Sequence, residues 1–123
     1  MHEIGLCEGI VEVVVRRAGD RIVTGVLVRA GVRQRVVLSS LRQAFAIVAA
    51  GTVAEEAVVD LEVAPVTVTC RSCGEVHESL DPLARCEVCD SPDVDITGGD
   101  ELLVVSLTLR RAPQSVPTAL AGE

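Results

Sequence analysis

The sequence predicts an α+β fold in which two helices pack on one face of a three-stranded sheet, with a cysteine-rich lobe inserted ahead of the last strand. Three observations predict it. Apolar residues recur every three to four positions over residues 2–17 and again over about 39–50, the period of an amphipathic helix. They alternate with polar residues over 57–69 and about 102–110, the period of a half-buried strand. The cysteines between those strands come as two CxxC pairs, a pattern of metal sites more than of disulfides.

The first helix carries Ile4, Cys7, Val11 and Val14 on one stripe, with Leu6, Ile10 and Val13 beside it. The β-branched run Val13-Val14-Val15 opposes it by propensity, and Gly19-Asp20 marks its end. Residues 22–30 read as a strand with Thr24, Val26, Val28 and Ala30 on one face. Ser39 or Ser40 is then placed to cap the second helix, since a hydroxyl can accept an orphan backbone N–H. Its buried stripe is Leu41, Ala44, Phe45 and Val48, and Gly51 ends it. In 57–69, Val59, Leu61 and Val63 oppose Asp60 and Glu62; Pro65 interrupts, and Val66 and Val68 lead into Cys70. The last strand alternates Leu103, Val105, Leu107 and Leu109. Residues 1–69 with 96–111 therefore read as one α/β domain, 70–95 as the inserted lobe, and 112–123, rich in Pro and small residues, as a disordered tail.

Composition narrows the function. Of 123 residues, 49% are apolar, enough for a core, but Phe45 is the only aromatic, so no exposed ring is at hand for stacking on bases. A net charge of −7 argues against a phosphate-tracking surface, and nucleic acid is excluded as a partner. No apolar run approaches the ~20 residues of a membrane span, and the start lacks the basic flank and apolar stretch of a signal peptide. The expectation is a cytoplasmic protein without a membrane partner. In that reducing compartment, paired cysteines point to metal or redox chemistry.

The pairs are Cys70-Arg-Ser-Cys73 and Cys86-Glu-Val-Cys89, twelve residues apart. Each CxxC turn presents two sulfurs to one ion, and two turns complete a tetrahedron; Gly74 stands where the first turn needs positive φ. Zinc favours this all-thiolate set, and four protein ligands leave no open position for a nucleophilic water. An iron site of rubredoxin type and a redox dithiol are the competing chemistries. The lobe is too poor in apolar residues to build its own core, so the metal must hold it, making it a zinc-ribbon-like insert. Such a closed site performs no catalysis, and no enzymatic activity is expected.

The amino terminus offers a second donor set. A free α-amine on Met1, the amide nitrogen of residue 2 and the His2 imidazole can close fused chelate rings around one ion, a planar nitrogen set that suits Ni(II) or Cu(II). A fourth donor is the amide or carboxylate of Glu3, or a residue from elsewhere. By itself this signal is weak: a histidine at position 2 is more often a solvated residue of a first helical turn than a metal ligand, and Glu3 there favours the positive end of the helix dipole.

Taken together, "MHEIGLCEGIVEVV", "VLVRAGV", "LRQAFAIVAAGT", "VVDLEVAPVTVTC", "CRSCG" with "CEVC", and "GGDELLVVSLTL" resemble, in order, the HypA/HybF nickel metallochaperones of nickel-iron hydrogenase maturation, over residues 1 to about 110. The resemblance implies a carrier that binds Ni(II) as transient cargo at His2, with Met1 and Glu3 supplying further donors. It implies structural Zn(II) on Cys70, Cys73, Cys86 and Cys89. It also implies delivery, with the help of a maturation GTPase, to the hydrogenase large-subunit precursor, and is compatible with a homodimer. The chain departs from the family in having Ile4-Gly5 where members often carry Met or Leu and then Ser or Ala. His77, four residues past Cys73, has three readings: a hydrogen bond near a cysteine sulfur, a solvent-facing ring, or a fourth nickel donor or pH sensor. Cys7, on the apolar helix stripe, reads as a small buried hydrophobe, with metal contact as the alternative. The competing classes are a zinc-ribbon interaction or regulatory module without nickel transfer, and a dithiol oxidoreductase. Residues 70–95 hold only Arg71 and Arg85 against seven acids, which counts against a nucleic-acid-binding ribbon.

Overall fold

The computed structural model describes residues 2–110, with side chains from Ile4 onward. Met1, an expected nickel donor, and the expected disordered tail at 112–123 lie outside the described residues. In chain order the elements are α1 (His2–Ala18), β1 (Val23–Gly31), a 3-10 turn (Val32–Gln34), α2 (Leu38–Ala49), β2 (Val58–Ala64), β3 (Val66–Cys70), β4 (Val76–Ser79), β5 (Val94–Gly98) and β6 (Leu102–Leu109). They form two three-stranded sheets, ordered β2-β1-β6 and β4-β3-β5.

The first sheet carries both helices on one face. α2 is the crossover that lets β2 run parallel to β1, while β6 returns antiparallel on the other side. The core between helices and sheet is aliphatic: Cys7, Ile10, Val11 and Val14 of α1 meet Leu41, Ala44, Phe45 and Ala49 of α2 over Val23, Val26, Val28 and Val59. The valine run in α1 is helical after all, because burial of Val11 and Val14 outweighs a few tenths of a kcal/mol per residue of helix propensity. On the opposite face, Arg29 and its β2 neighbour Glu62 pair at 2.8 Å. Arg42 reaches from α2 to the Val59 carbonyl (2.8 Å) and Asp60 (2.9 Å), covering part of the β2 edge.

Four local expectations are corrected. α2 starts at Leu38 with Val37 as its N-cap and no side-chain cap, so Ser39 and Ser40 lie inside the first turn. In β1, Val23 rather than Thr24 joins the buried set, because the register slips between Val23 and Gly25. In β6 the register slips again between Leu27 and Val28 of its partner, leaving Val105 as the extra residue of a bulge. Leu107 and Leu109 pack inward as expected, but beyond the bulge the faces exchange: Val104 is 8% exposed and Val105 39%. Finally, the extended run 57–69 is two strands in two sheets. Pro65, which has no N–H to give a ladder, separates β2 from β3, and β3 is the central strand of the second sheet.

The second sheet is the frame of the cysteine lobe. Val66, Val68 and Cys70 form its buried face, and β4 and β5 flank β3 antiparallel. A strap, Gly99–Glu101, carries the chain from β5 back to β6 across the end of β1. The Gly31 N–H donates to Glu101 O and the Arg33 N–H to Gly99 O, both at 2.7 Å. Gly31 is required there by space alone: a Cβ would stand 2.0 Å from the Gly99 carbonyl carbon. No helix among the described residues is long and apolar enough to cross a membrane.

Candidate metal centre

Four sulfurs converge at the tip of the lobe. The Sγ atoms of Cys70, Cys73, Cys86 and Cys89 all lie within 4.8 Å of one another. Across the pairs, Cys70 faces Cys89 and Cys73 faces Cys86, each at 3.6 Å. A tetrahedral ion with ~2.3 Å metal–sulfur bonds needs sulfurs roughly 3.8 Å apart, so the cluster fits one ion with small adjustments. Cys70 and Cys86 are buried, Cys73 and Cys89 exposed.

The two knuckles are built alike, bond for bond. Cys70 Sγ accepts the N–H groups of Ser72 (3.3 Å) and Cys73 (3.4 Å). Cys86 Sγ accepts those of Val88 and Cys89, both at 3.4 Å. The carbonyl of Cys70 accepts from Gly74 N and that of Cys86 from Asp90 N. The residue after each pair is left-handed: Gly74 at φ 80°, as expected, and Asp90 at φ 60°. Asp90 escaped the sequence reading, although its offset from the second pair equals that of Gly74 from the first, and Asp is one of the few side chains that tolerate this region. Ser72 and Ser91 join the knuckles by a 3.1 Å hydroxyl contact, and the Arg71 guanidinium forks to Asp93 and Asp95.

The same hydrogen bonds split the four thiols. Cys70 is lowered to about 6, by the Cys73 N–H first and then that of Ser72, against the cost of burial. Cys86 is lowered in the same way by Cys89 and Val88. Cys73 is pushed up to about 12: the Glu75 N–H opposes the shift, and the facing Cys86 sulfur together with burial overcomes it. Cys89 is raised against the Ser91 N–H by the facing Cys70 sulfur. Two thiols are therefore biased toward the thiolate and two toward the protonated form, whose protons an incoming cation would displace.

His77 is not among the grouped donors. It sits in β4 opposite Val68, half-buried, with Nδ1 enclosed and without a hydrogen-bond partner. No cysteine sulfur accepts from it, which corrects the first of its three readings; the ring is partly exposed, with Nδ1 alone enclosed. Cys7 is buried in the core, where its thiol donates to Leu41 O at 3.6 Å, the packing role expected of it. His2 is the first residue of α1.

Fold and site together define a small α+β protein carrying a lobe able to hold one ion in four sulfurs, a binding protein in its architecture. Comparison with known proteins gives the class its family. The family described as "Hydrogenase/urease nickel incorporation, metallochaperone, hypA" matches residues 1–109. The hydrogenase maturation factor HypA of Desulfitobacterium hafniense is 36% identical over 110 residues, covering 87% of this chain and 96% of the relative. The hydrogenase maturation factor HybF of Escherichia coli is 33% identical over 110 residues, covering 87% and 97%. The solution structure of the Ni metallochaperone HypA from Helicobacter pylori superposes with a TM-score of 0.56 at 25% identity, covering 89% of this chain and 97% of that one. The chain belongs to the HypA family of nickel metallochaperones for hydrogenase maturation.

Proposed function

We propose that this protein binds Ni(II) at its amino terminus, holds Zn(II) permanently in Cys70, Cys73, Cys86 and Cys89, and delivers the nickel in the cytoplasm to the hydrogenase large-subunit precursor with the help of a maturation GTPase. The observation that carries this reading is the family match from residue 1 in a chain that opens Met1-His2-Glu3.

The nickel donors are the Met1 amine, the amide nitrogen of residue 2, the His2 imidazole and a donor from Glu3. α1 runs from His2, and the first N–H groups of a helix have no intrahelical acceptor. Deprotonating such an amide to bind metal costs no helical hydrogen bond. The positive end of the helix dipole works against a bound cation. Few fixed donors and that opposing field give modest affinity and easy exchange, which suits a carrier. Further along, Cys7, Ile10, Val11 and Val14 anchor the helix in the core.

Zinc fits the sulfur spacing, and when bound it supplies the cross-link that fixes the two knuckles to each other. The lobe's sheet and the four N–H···S bonds to Cys70 and Cys86 orient the thiolates for it.

Metal analysis and nickel titration of untagged protein test this reading. One tightly held zinc and one exchangeable nickel per chain are expected. His2→Ala should abolish nickel binding and leave zinc and fold intact; full-strength nickel binding by His2→Ala would overturn the assignment.

A further inference from the structure

Four strands lie at sheet edges, β2 and β6 in the first sheet and β4 and β5 in the second. Three of them carry charge on the strand itself: Asp60 and Glu62 in β2, Glu78 in β4, Asp95 in β5. Charge on an edge discourages another strand from pairing there. β6, at eight residues the longest of the four, carries none. Leu103 is 44% exposed, and Leu102 and Val105 nearly as much. Beside this edge α1 leaves a hollow of about 280 Å³, lined by Leu6, Gly9 and Val13 against Leu102, Leu103 and Val104. One side chain reaches over the edge: Arg17 donates to Val104 O at 3.4 Å, and being exposed and without an ion pair it can turn to solvent when a strand approaches.

The charge sits at the two ends of β6. Asp100-Glu101 precede it and Arg110-Arg111 follow it. Neither Glu101 nor Arg110 has an ion-pair partner among the described residues. Glu101 borders a hollow whose one cation, Arg29, is already held by Glu62, and Glu78 adds a further carboxylate there. At the other end Asp20 and Arg21 stand on the turn before β1, and no ion pair joins Asp20 to Arg110. One end is therefore negative and open, the other positive and open.

Such a strand is complementary to itself. When it lies antiparallel beside a copy, about a twofold axis normal to the sheet, residue 101 of each chain stands opposite residue 110 of the other. Acid then meets base twice, and eight uncharged positions pair between them. The bulge at Val105 shifts this register by no more than one residue. The same axis sets the two α1 helices, each packed over its own β6, antiparallel on one face of a six-stranded sheet. Gly9 lets them come close, since a Cβ there would meet nothing within 4 Å. Both elements are about 26 Å long, and a helix on a sheet stands about 20 Å high, so the strip buries roughly 1,000 Å² over the two copies, the size at which specific interfaces begin.

We infer that the β6 edge, with α1 above it, joins two copies of this chain into a symmetric, weakly held dimer. A chain of net charge −7 repels its own copy over most approaches, and this strip is one that sets opposite charges face to face. The inference stands apart from the carrier reading, because it calls on none of the four clustered cysteines and on none of Met1, His2 and Glu3. Association should weaken as salt rises, since its two charged pairs lie at the exposed ends of the strip.

Sedimentation of the untagged, zinc-loaded, full-length chain from about 5 to about 500 µM tests it, a range suited to a small interface. At low salt the mass should rise toward twice that of one chain. Glu101→Lys and Arg110→Glu should each weaken association by about tenfold or more, and the protein carrying both should recover it to within about threefold, because the pairs are then restored in reverse. Neither change touches the backbone bonds from Gly31 N–H to Glu101 O and from Arg110 N–H to Ile22 O, so Tm should hold. A photo-crosslinker at position 105 should join two chains through residues 102–109, more so at higher concentration. A single-chain mass throughout, no recovery in the double variant, or a crosslink to residues 111–123 of the same chain or to another face overturns the inference. Metal stoichiometry on the same samples reports separately: a dimer that binds no nickel keeps this inference and overturns the carrier reading, and a nickel-binding monomer does the reverse.

Discussion

Replacing Gly31 by alanine is expected to loosen the joint between the helical layer and the cysteine lobe. The new Cβ would lie 2.0 Å from the Gly99 carbonyl carbon, 2.1 Å from its oxygen and 2.5 Å from Asp100 N, all backbone atoms that no rotamer change can move aside. Carbon atoms rest at about 3.5–4.0 Å, so the strap must retreat by roughly 1.5 Å. That shift breaks or stretches the two 2.7 Å bonds that hold it, Gly31 N–H to Glu101 O and Arg33 N–H to Gly99 O. At about 1 kcal/mol for each bond and about 1–3 kcal/mol for overpacking, the loss is roughly 3–5 kcal/mol. The bonds within each knuckle are untouched, so metal content should not change. Urea denaturation of the zinc-loaded protein, with metal analysis, measures both. A Gly31→Ala protein within about 0.5 kcal/mol of the parent would show that the strap does not press on β1 and refute the reasoning.

Four further outcomes are expected. Val104→Ala should cost about 2 kcal/mol and Val105→Ala close to nothing, because the bulge in β6 sends only the former into the core; equal losses in chemical denaturation would argue for unbroken alternation. Asp90→Ala should destabilise the second knuckle by about 1 kcal/mol through its left-handed backbone, while Asp90→Gly should be near neutral, as read from the resistance of bound zinc to a chelator. Zinc affinity should fall as pH falls. At neutral pH, Cys73, pushed up to about 12, and the raised Cys89 hold protons that zinc must expel, so log K should change by at least about two per pH unit, and more steeply below about 6, where Cys70 also protonates; a flat profile in competition with a chromogenic chelator would contradict the assignment. If zinc orders the lobe, Cys73→Ser should abolish amide-exchange protection in β3–β5 and leave it in α1, α2 and β1, which rest on their own aliphatic core.

Much of the fold was legible because burial imposes a period. The stripe Cys7, Val11, Val14 and the stripe Leu41, Ala44, Phe45 could be read directly, since a helix has one way to turn these residues toward a sheet. The four cysteines were legible for a stronger reason: two CxxC turns at this spacing have few uses, and the structure brings their sulfurs into one cluster. What misled the reading was register. Strand alternation carries no mark of where a bulge inserts an extra residue, so Thr24 and Val105 were assigned to the wrong face. Ser39 and Ser40 were poor guides because propensity for a cap is weak beside the geometry with which β1 and the 3-10 turn deliver the chain into α2.

By itself, the sequence determined the two helices, the strands of the first sheet, the four cysteines that cluster and, through Met1-His2-Glu3 with those cysteines, the family. These are local or periodic properties, written in residue types at fixed spacings. Only the tertiary structure decided that β3 leaves the first sheet for a second one, that Gly31 and Gly99 seal the joint, that Asp90 mirrors Gly74, and that the uncharged β6 stands at a sheet edge. Those depend on which distant segments come to share one space, and contacts between distant segments leave no period for a sequence to display.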